Sequence, residues 1–501
     1  MASLLIRIRS DHSKSPPPPG GSCLYCSASE TDGYRLMPVP TPLQTWNRRH
    51  WMASAAAGSG ISVCWPGPVK SAEAGIARAK SVIVVFLNGG ASQLETFDPK
   101  PDAPREIRGE FGSIPSAVPG TFLCEHLPRL ARLADRYTIV KSMSHDDTDH
   151  GSATYLALTG RYHARKSSNP LPAPEDHPAF AAALKRVMGA SRTFDTAVTV
   201  NGPAIVPELI APGQDAGLLG REYDPFLVGD LTGGPSSWPS FDLPVGLNLE
   251  RLRTRKSMLE LIEANHVQAS QNKLLNDMVG MQGRAMDLFE NPVGRRAFDL
   301  SAEPSAVVER YGRHRAGLAC LLARRLVEAG VPLITVIWNH SGRGQDRLPD
   351  DPEAQGWDTH NDLFEVMRRH LLPRFDQTFS ALLEDLQQRN LLDQTLVLCL
   401  GEFGRAPRVA LESNFAGALP GRKHWANVYS MVAAGAGVSR GAVLGASDKF
   451  AAYPTTERYG PWDVHATVAA ALGVDPAMEY HDRLARPFRL TLGQPIVGLY
   501  R

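Results

Sequence analysis

The chain has 501 residues, 43% of them hydrophobic, and a formal net charge of +1. That length and composition supply a large globular core and exclude a fibre or a disordered tail. A near-neutral charge gives no overall attraction to nucleic acid or to an anionic membrane surface, local patches aside, and nucleic acid is not expected as a partner.

Residues 1–46 hold Pro16 to Pro19 and several serines and glycines with little periodic hydrophobicity, the pattern of an extension without a fold of its own. Cys23 and Cys26 form an isolated CxxC with no second pair at metal-site spacing, which we read as coincidence. Next, Arg48 and Arg49 precede a modestly apolar, small-residue run from Ala53 to Trp65, followed by Ala72-Glu73-Ala74. A charged start, an apolar middle and a cleavable end make residues 47–74 a twin-arginine export signal, with delivery to the periplasm or the cell exterior expected. The alternative is a buried N-terminal helix. The run is too short and too rich in Gly and Ser for a stable membrane span. Cleavage after Ala74 leaves Cys124, Cys320 and Cys399, too scattered for a disulfide framework.

Residues 75–501 read as one α/β domain with an irregular and helical insertion at about 202–300. Ser81 to Leu87 is a continuous β-branched run, the mark of a strand covered on both faces of a parallel sheet. Ligands collect beyond the carboxyl ends of such strands, which directs attention to Asn88, Ser92 and Gln93. Their competing role is the turn, for which Asn88-Gly89-Gly90 is suited.

Tyr137 to Val140 predicts a second strand, and Ser152 to Leu158 a helix closing on Gly160. Between them, Ser144 to His150 offers three Asp and two His within seven positions. Such a cluster is either a solvated acidic loop or a site, and an anion above the strand end would meet the helix N-terminus. Helices are predicted over Leu127 to Ala134, Ala179 to Met188, Leu249 to Phe289 and Arg315 to Ala329. Strands are predicted over Thr196 to Val200 and Val331 to Trp338, while Gly213 to Val245 reads as irregular. This alternation supports a layered α/β architecture.

Three further clusters follow. Asp358-Thr359-His360 provides oxygen and nitrogen ligands for one divalent ion, although Asp358 would equally cap the long helix predicted from Asp362 to Asn390. After the strand Thr395 to Leu400, Glu402 suits metal ligation and Arg405 suits a bidentate grip on phosphate or sulfate; the competing reading pairs the two with each other. Arg422-Lys423-His424 places a histidine ligand beside two cations, ahead of the strand Val428 to Ala433.

The stretches FLNGGASQLETFDPKPDAP, SHDDTDHGSATYLALTGR, RRAFDLS, YGRHRAGLACLLARRLVEAGV, GWDTHNDLF, GEFGRAP and GRKHW resemble the bacterial DUF1501 family, a sulfatase-like branch of the alkaline phosphatase superfamily. The resemblance implies a three-layer fold, a central mainly parallel sheet between helices, with two metal positions and a nucleophile at strand ends. It implies metal ligands at Asp358, His360, Glu402 and His424. At the nucleophile position of the phosphatases this chain carries Asp149-His150, and the Cys-x-Pro-Ser-Arg of sulfatases is absent. His150 then attacks directly, yields to Ser152 or Thr154, binds metal, or serves as acid or base. Asn88 stands where the superfamily has an aspartate ligand, which puts one metal position in question.

The expectation is an exported hydrolase of small-molecule or glycan phosphate or sulfate esters, dependent on zinc, manganese, magnesium or calcium. Its catalytic candidates are His150, Ser152, Asp149 and Arg161, and its substrate contacts Asn88, His145, Arg405 and Lys423. The competing class is a binding or assembly protein that keeps the fold without turnover.

Overall fold

A computed structural model describes residues 76, 78–189, 195–205, 209–234, 248–264, 292–338 and 356–501. The predicted extension and export signal lie outside the described residues, as does the part of the predicted Leu249 to Phe289 helix beyond Ala264.

Among the described residues, eight strands form the central sheet: β1 (Ser81–Phe86), β2 (Tyr137–Met143), β3 (Ala197–Val200), β4 (Phe226–Val228), β5 (Leu333–Ile337), β6 (Thr395–Leu400), β7 (Tyr429–Ala434) and β8 (Ala442–Leu444). Their spatial order is β8-β2-β7-β6-β1-β5-β3-β4. β1 sits in the middle, parallel to β6 on one side and β5 on the other, with Phe86 opposite both Leu400 and Ile337. β7 alone runs against its neighbours, β2 and β6.

Because side chains alternate across a strand, β1 feeds two cores. Ile83 and Val85 join one, Val82 the other, which is why the strand reads as continuously apolar. On the first face lie the helix α3 (Arg315–Glu328) and the long helix α4 (Leu363–Gln388), which contains a π turn at Met367–Leu371. On the second lie α2 (Phe180–Met188) and α5 (Pro461–Ala471), with α1 (His150–Thr159) against both. The architecture is therefore three-layered, helices on either side of a mainly parallel sheet. No helix among the described residues is long and apolar enough to cross a membrane.

β4 corrects the reading of residues 213–245 as irregular: within this Gly- and Pro-rich stretch, Phe226–Val228 extends the sheet beside β3. Three residues are too few to show a period of two. Cys124, Cys320 and Cys399 are buried and unpaired, as packing residues.

Candidate metal centre

The carboxyl ends of β1, β2, β5 and β6 point to one edge of the sheet, and the loops that leave them carry the site. β7 adds to the same edge through its beginning, since it is reversed: His424 precedes Tyr429 and so arrives where the other strands end. Asp149 caps α1, accepting from the His150 N–H at 2.9 Å and turning the His150 ring inward at the first helical position.

Four groups converge here. The Nε2 atoms of His150 and His360 each lie 3.0 Å from Asp358 Oδ1, and that of His424 lies 3.6 Å away. All four ligand atoms fall within 4.8 Å of one another. Ligand atoms around a tetrahedral ion with bonds near 2.0–2.1 Å stand about 3.3 Å apart, close to this spacing. None of the three buried Nε2 atoms has an aligned hydrogen-bond partner. Buried nitrogens are rarely left so; here they face a common centre.

The opposite nitrogen of each ring is occupied. His150 Nδ1 lies 2.6 Å from Glu402 Oε1, His360 Nδ1 3.0 Å from Glu412 Oε1, and His424 Nδ1 2.8 Å from the Thr148 carbonyl. A carbonyl only accepts, so His424 carries its proton on Nδ1, and with an ion at the centre the carboxylates behind His150 and His360 would hold their protons on Nδ1 as well. Each Nε2 then offers a lone pair, the arrangement metal-binding histidines adopt. The residues present fit a divalent ion.

The charged groups of the cluster act on one another in a consistent direction. Burial drives the His150 ring toward neutrality, yet Asp358 and Glu402 outweigh it and raise the ring to about 9. Burial and the nearby His150 push His424 down to about 3. Asp358 is held well below the carboxylate range by the three imidazoles despite its burial. A proton on His150 thus balances Asp358 where a cation would.

Several sequence-predicted residues take other places. Glu402, expected as a ligand, stands behind the His150 ring, both its oxygens accepting from the Gly89 N–H at 2.9 and 3.1 Å. Arg405, expected to grip substrate, is fully buried and donates to the carbonyls of Gly89, Gly90 and Trp357 and, at 2.8 Å, to Asp358. The predicted Glu402–Arg405 pair is replaced by Asp358–Arg405, and Asp358 serves the cluster rather than a helix cap. Arg422 is likewise buried, spent on Glu95 at 2.6 Å.

His145 lies beneath the loop, donating from Nε2 to the Glu402 carbonyl at 2.5 Å and accepting from the Asp147 N–H at 3.1 Å. Ser152 is buried and donates to Asp147 at 2.6 Å. Asn88 is buried and donates to the Ile205 carbonyl at 3.1 Å. Arg161 follows the far end of α1, roughly 15 Å from His150 at 1.5 Å per residue, and donates to the Arg489 carbonyl.

A polar pocket of about 520 Å³ opens over the cluster, lined by Thr148, Asp149, Asn169, Glu412, Phe415 and Lys423 with the four converging residues. A separate apolar cavity between the sheet and α1, α2 and α5 contains none of this chemistry. Glu412, Phe415 and Asn169 carried no recognisable pattern in the sequence. Their loops fold back from other parts of the chain.

A family model described as a protein of unknown function, DUF1501, matches residues 79–499. No curated protein matches the chain. Among solved structures, it is similar to a sulfatase from Pseudoalteromonas, 13% identical, with 80% of this chain and 68% of that one covered at a TM-score of 0.36. It is also similar to a phosphonate monoester hydrolase from Silicibacter pomeroyi, 12% identical, with coverages of 85% and 76% and a TM-score of 0.38. A variant of the alkaline phosphatase PafA is 10% identical, with coverages of 84% and 99% and a TM-score of 0.37.

Proposed function

This chain belongs to the DUF1501 family, and on that premise we propose that it is an exported hydrolase of phosphate or sulfate esters that works with one divalent ion held by His150, Asp358, His360 and His424. The carrying observation is the convergence of three unpartnered imidazole nitrogens and a carboxylate oxygen at the floor of an open polar pocket. Three nitrogens and one oxygen suit zinc; magnesium and calcium prefer all-oxygen sites.

A divalent ion held by these four residues would supply Lewis-acid chemistry, polarisation of an ester oxygen and neutralisation of developing charge. The protein's own groups supply the rest. Lys423, on the pocket wall, attracts the anionic ester group. His150 has Nδ1 against Glu402 and turns Nε2 to the common centre, so it is assigned to hold the ion and not to attack. Ser152 is bonded away from the pocket, and Thr154 is fully buried and does not line it. Water is then the nucleophile. To Asp149, the pocket carboxylate not bonded to an imidazole ring, we assign the role of taking its proton.

The test is metal content of the purified protein together with hydrolysis of aryl phosphate and aryl sulfate before and after chelation. About one ion per chain and chelator-sensitive turnover of one ester support the reading. A folded sample that neither holds zinc, manganese, magnesium or calcium nor turns over either ester overturns it.

One observation favours a second reading. Four protein atoms complete a tetrahedral set, as structural zinc sites do, whereas catalytic sites keep a position open. A binding or assembly protein would show the ion without turnover in the same experiment.

A further inference from the structure

We propose that Glu412 is a positioning residue for the metal centre and that the solvent-facing loop carrying it clasps His360. This rests on the metal-binding part of the proposed function and not on hydrolysis. The loop is pinched at its base, where Ala410 and Gly421 exchange backbone hydrogen bonds of 3.0 Å in both directions. Leu411 and Leu419 are 56% and 54% exposed, so the loop owes little to burial of its own side chains.

What seats it is contact with three successive residues of the metal-bearing segment. Glu412 accepts from His360 Nδ1 at 3.0 Å, and the Phe415 ring stacks on the same imidazole, centroids 3.6 Å apart and 8° from coplanar. The Asn361 amide donates to the Glu412 and Phe415 carbonyls at 2.9 and 3.1 Å, and its oxygen accepts from the Glu412 N–H at 2.9 Å. Asp362 accepts from the Ala418 and Leu419 N–H groups at 3.1 and 2.7 Å.

The consequence for the centre is chemical. A carboxylate on Nδ1–H holds the tautomer and ring orientation that leave Nε2 free to ligate. A cation on Nε2 in turn makes Nδ1–H a stronger donor to Glu412. Seating of the loop and binding of the ion are therefore coupled, and the coupling is reciprocal: the factor by which a seated loop tightens the ion is the factor by which the ion tightens the loop.

The experiment uses the full chain, stripped of metal, and zinc titrated against a chromogenic chelator, for the wild type, Glu412→Ala and Glu412→Gln. Cobalt(II) absorption and hydrogen exchange at the Glu412, Ala418 and Leu419 amides are read alongside. Glu412→Ala is expected to weaken zinc about 10- to 100-fold and to alter the cobalt spectrum. Glu412→Gln, which keeps an acceptor of the same shape and covers a failure of the alanine variant to fold, falls between. Zinc is expected to slow exchange at the three amides in the wild type and not in Glu412→Ala. A wild type that binds zinc while both variants bind within about twofold of it, with unchanged cobalt spectra, overturns the proposal and leaves the metal site standing. A wild type that takes no zinc overturns the metal site as well.

Discussion

Glu402 Oε1 lies 2.6 Å from Nδ1 of His150, and the other nitrogen of that ring lies 3.0 Å from Asp358. His150 is thus held edge-on between two carboxylates, one behind it and one across the centre. Burying two carboxylates beside one imidazole is costly unless the ring is protonated or a cation completes the set.

Removing the rear carboxylate separates its structural and chemical roles. Glu402→Ala leaves the Gly89 N–H and His150 Nδ1 without acceptors in a fully buried place, a cost of about 2–4 kcal/mol by denaturant melting. Glu402→Gln keeps an acceptor and should lose about half as much or less, while both variants bind zinc more weakly by on the order of 10- to 100-fold. Equal zinc affinity in all three proteins would show that the ring needs no partner on Nδ1.

Metal affinity should rise with pH over an unusually wide range. In the metal-free protein His150 is raised to about 9, so below that value each ion that binds must displace a proton. Affinity then climbs roughly tenfold per pH unit toward 9 and flattens above it. His424, lowered to about 3, adds no slope in this range. Calorimetry in two buffers of different ionisation heat should find about one proton released per zinc at pH 7.5. In Glu402→Gln one of the carboxylates that raise His150 is gone, and the plateau should begin at lower pH.

Two cations predicted to grip the substrate should behave in opposite ways. Arg405→Met strands three carbonyls and Asp358 in the interior and should cost about 3–5 kcal/mol of stability. Lys423→Ala removes a charge from the pocket wall; stability should change by less than about 0.5 kcal/mol. Its effect should fall on KM, which rises about 10-fold or more with loss of a charge-assisted contact. A stable Arg405→Met protein with a raised KM would reverse the assignment.

The contrast shows where sequence stops being informative. The apolar runs of β1 and β6 announce strands because burial on both faces demands them, and Thr395–Leu400 matches its prediction residue for residue. His150, Asp358, His360 and His424 are visible as clusters beside strand ends, since strand ends share an edge. Which face of a ring a carboxylate approaches is a tertiary fact, so Glu402 reads as a ligand although it stands behind one. Arg405 reads as a substrate clamp because nothing nearby in sequence marks Gly89, Gly90 and Trp357 as its acceptors. Glu412 reaches His360 across 52 residues, through a loop whose course no periodicity encodes.

The last prediction concerns acid stability, away from the centre. His465 on α5 is buried and stacks on Phe180 with centroids 4.5 Å apart. Burial, with a smaller push from Arg161, lowers it from 6.5 to about 4. Above pH 6.5 the ring is neutral in folded and unfolded chains alike, and stability does not depend on it. Between 6.5 and 4 only the unfolded chain takes up the proton, so stability falls with pH; below 4 the folded ring is protonated too and the loss levels off. The full effect is at most about 3 kcal/mol. His465→Gln removes the titration. The difference in unfolding free energy between wild type and variant, measured in chelator so that the metal centre contributes equally, should therefore shrink steadily as pH falls from 6.5 to 4. A difference that stays constant across that interval would mean the ring is solvated, and that the packing of α5 against α2 is looser than the stacked pair indicates.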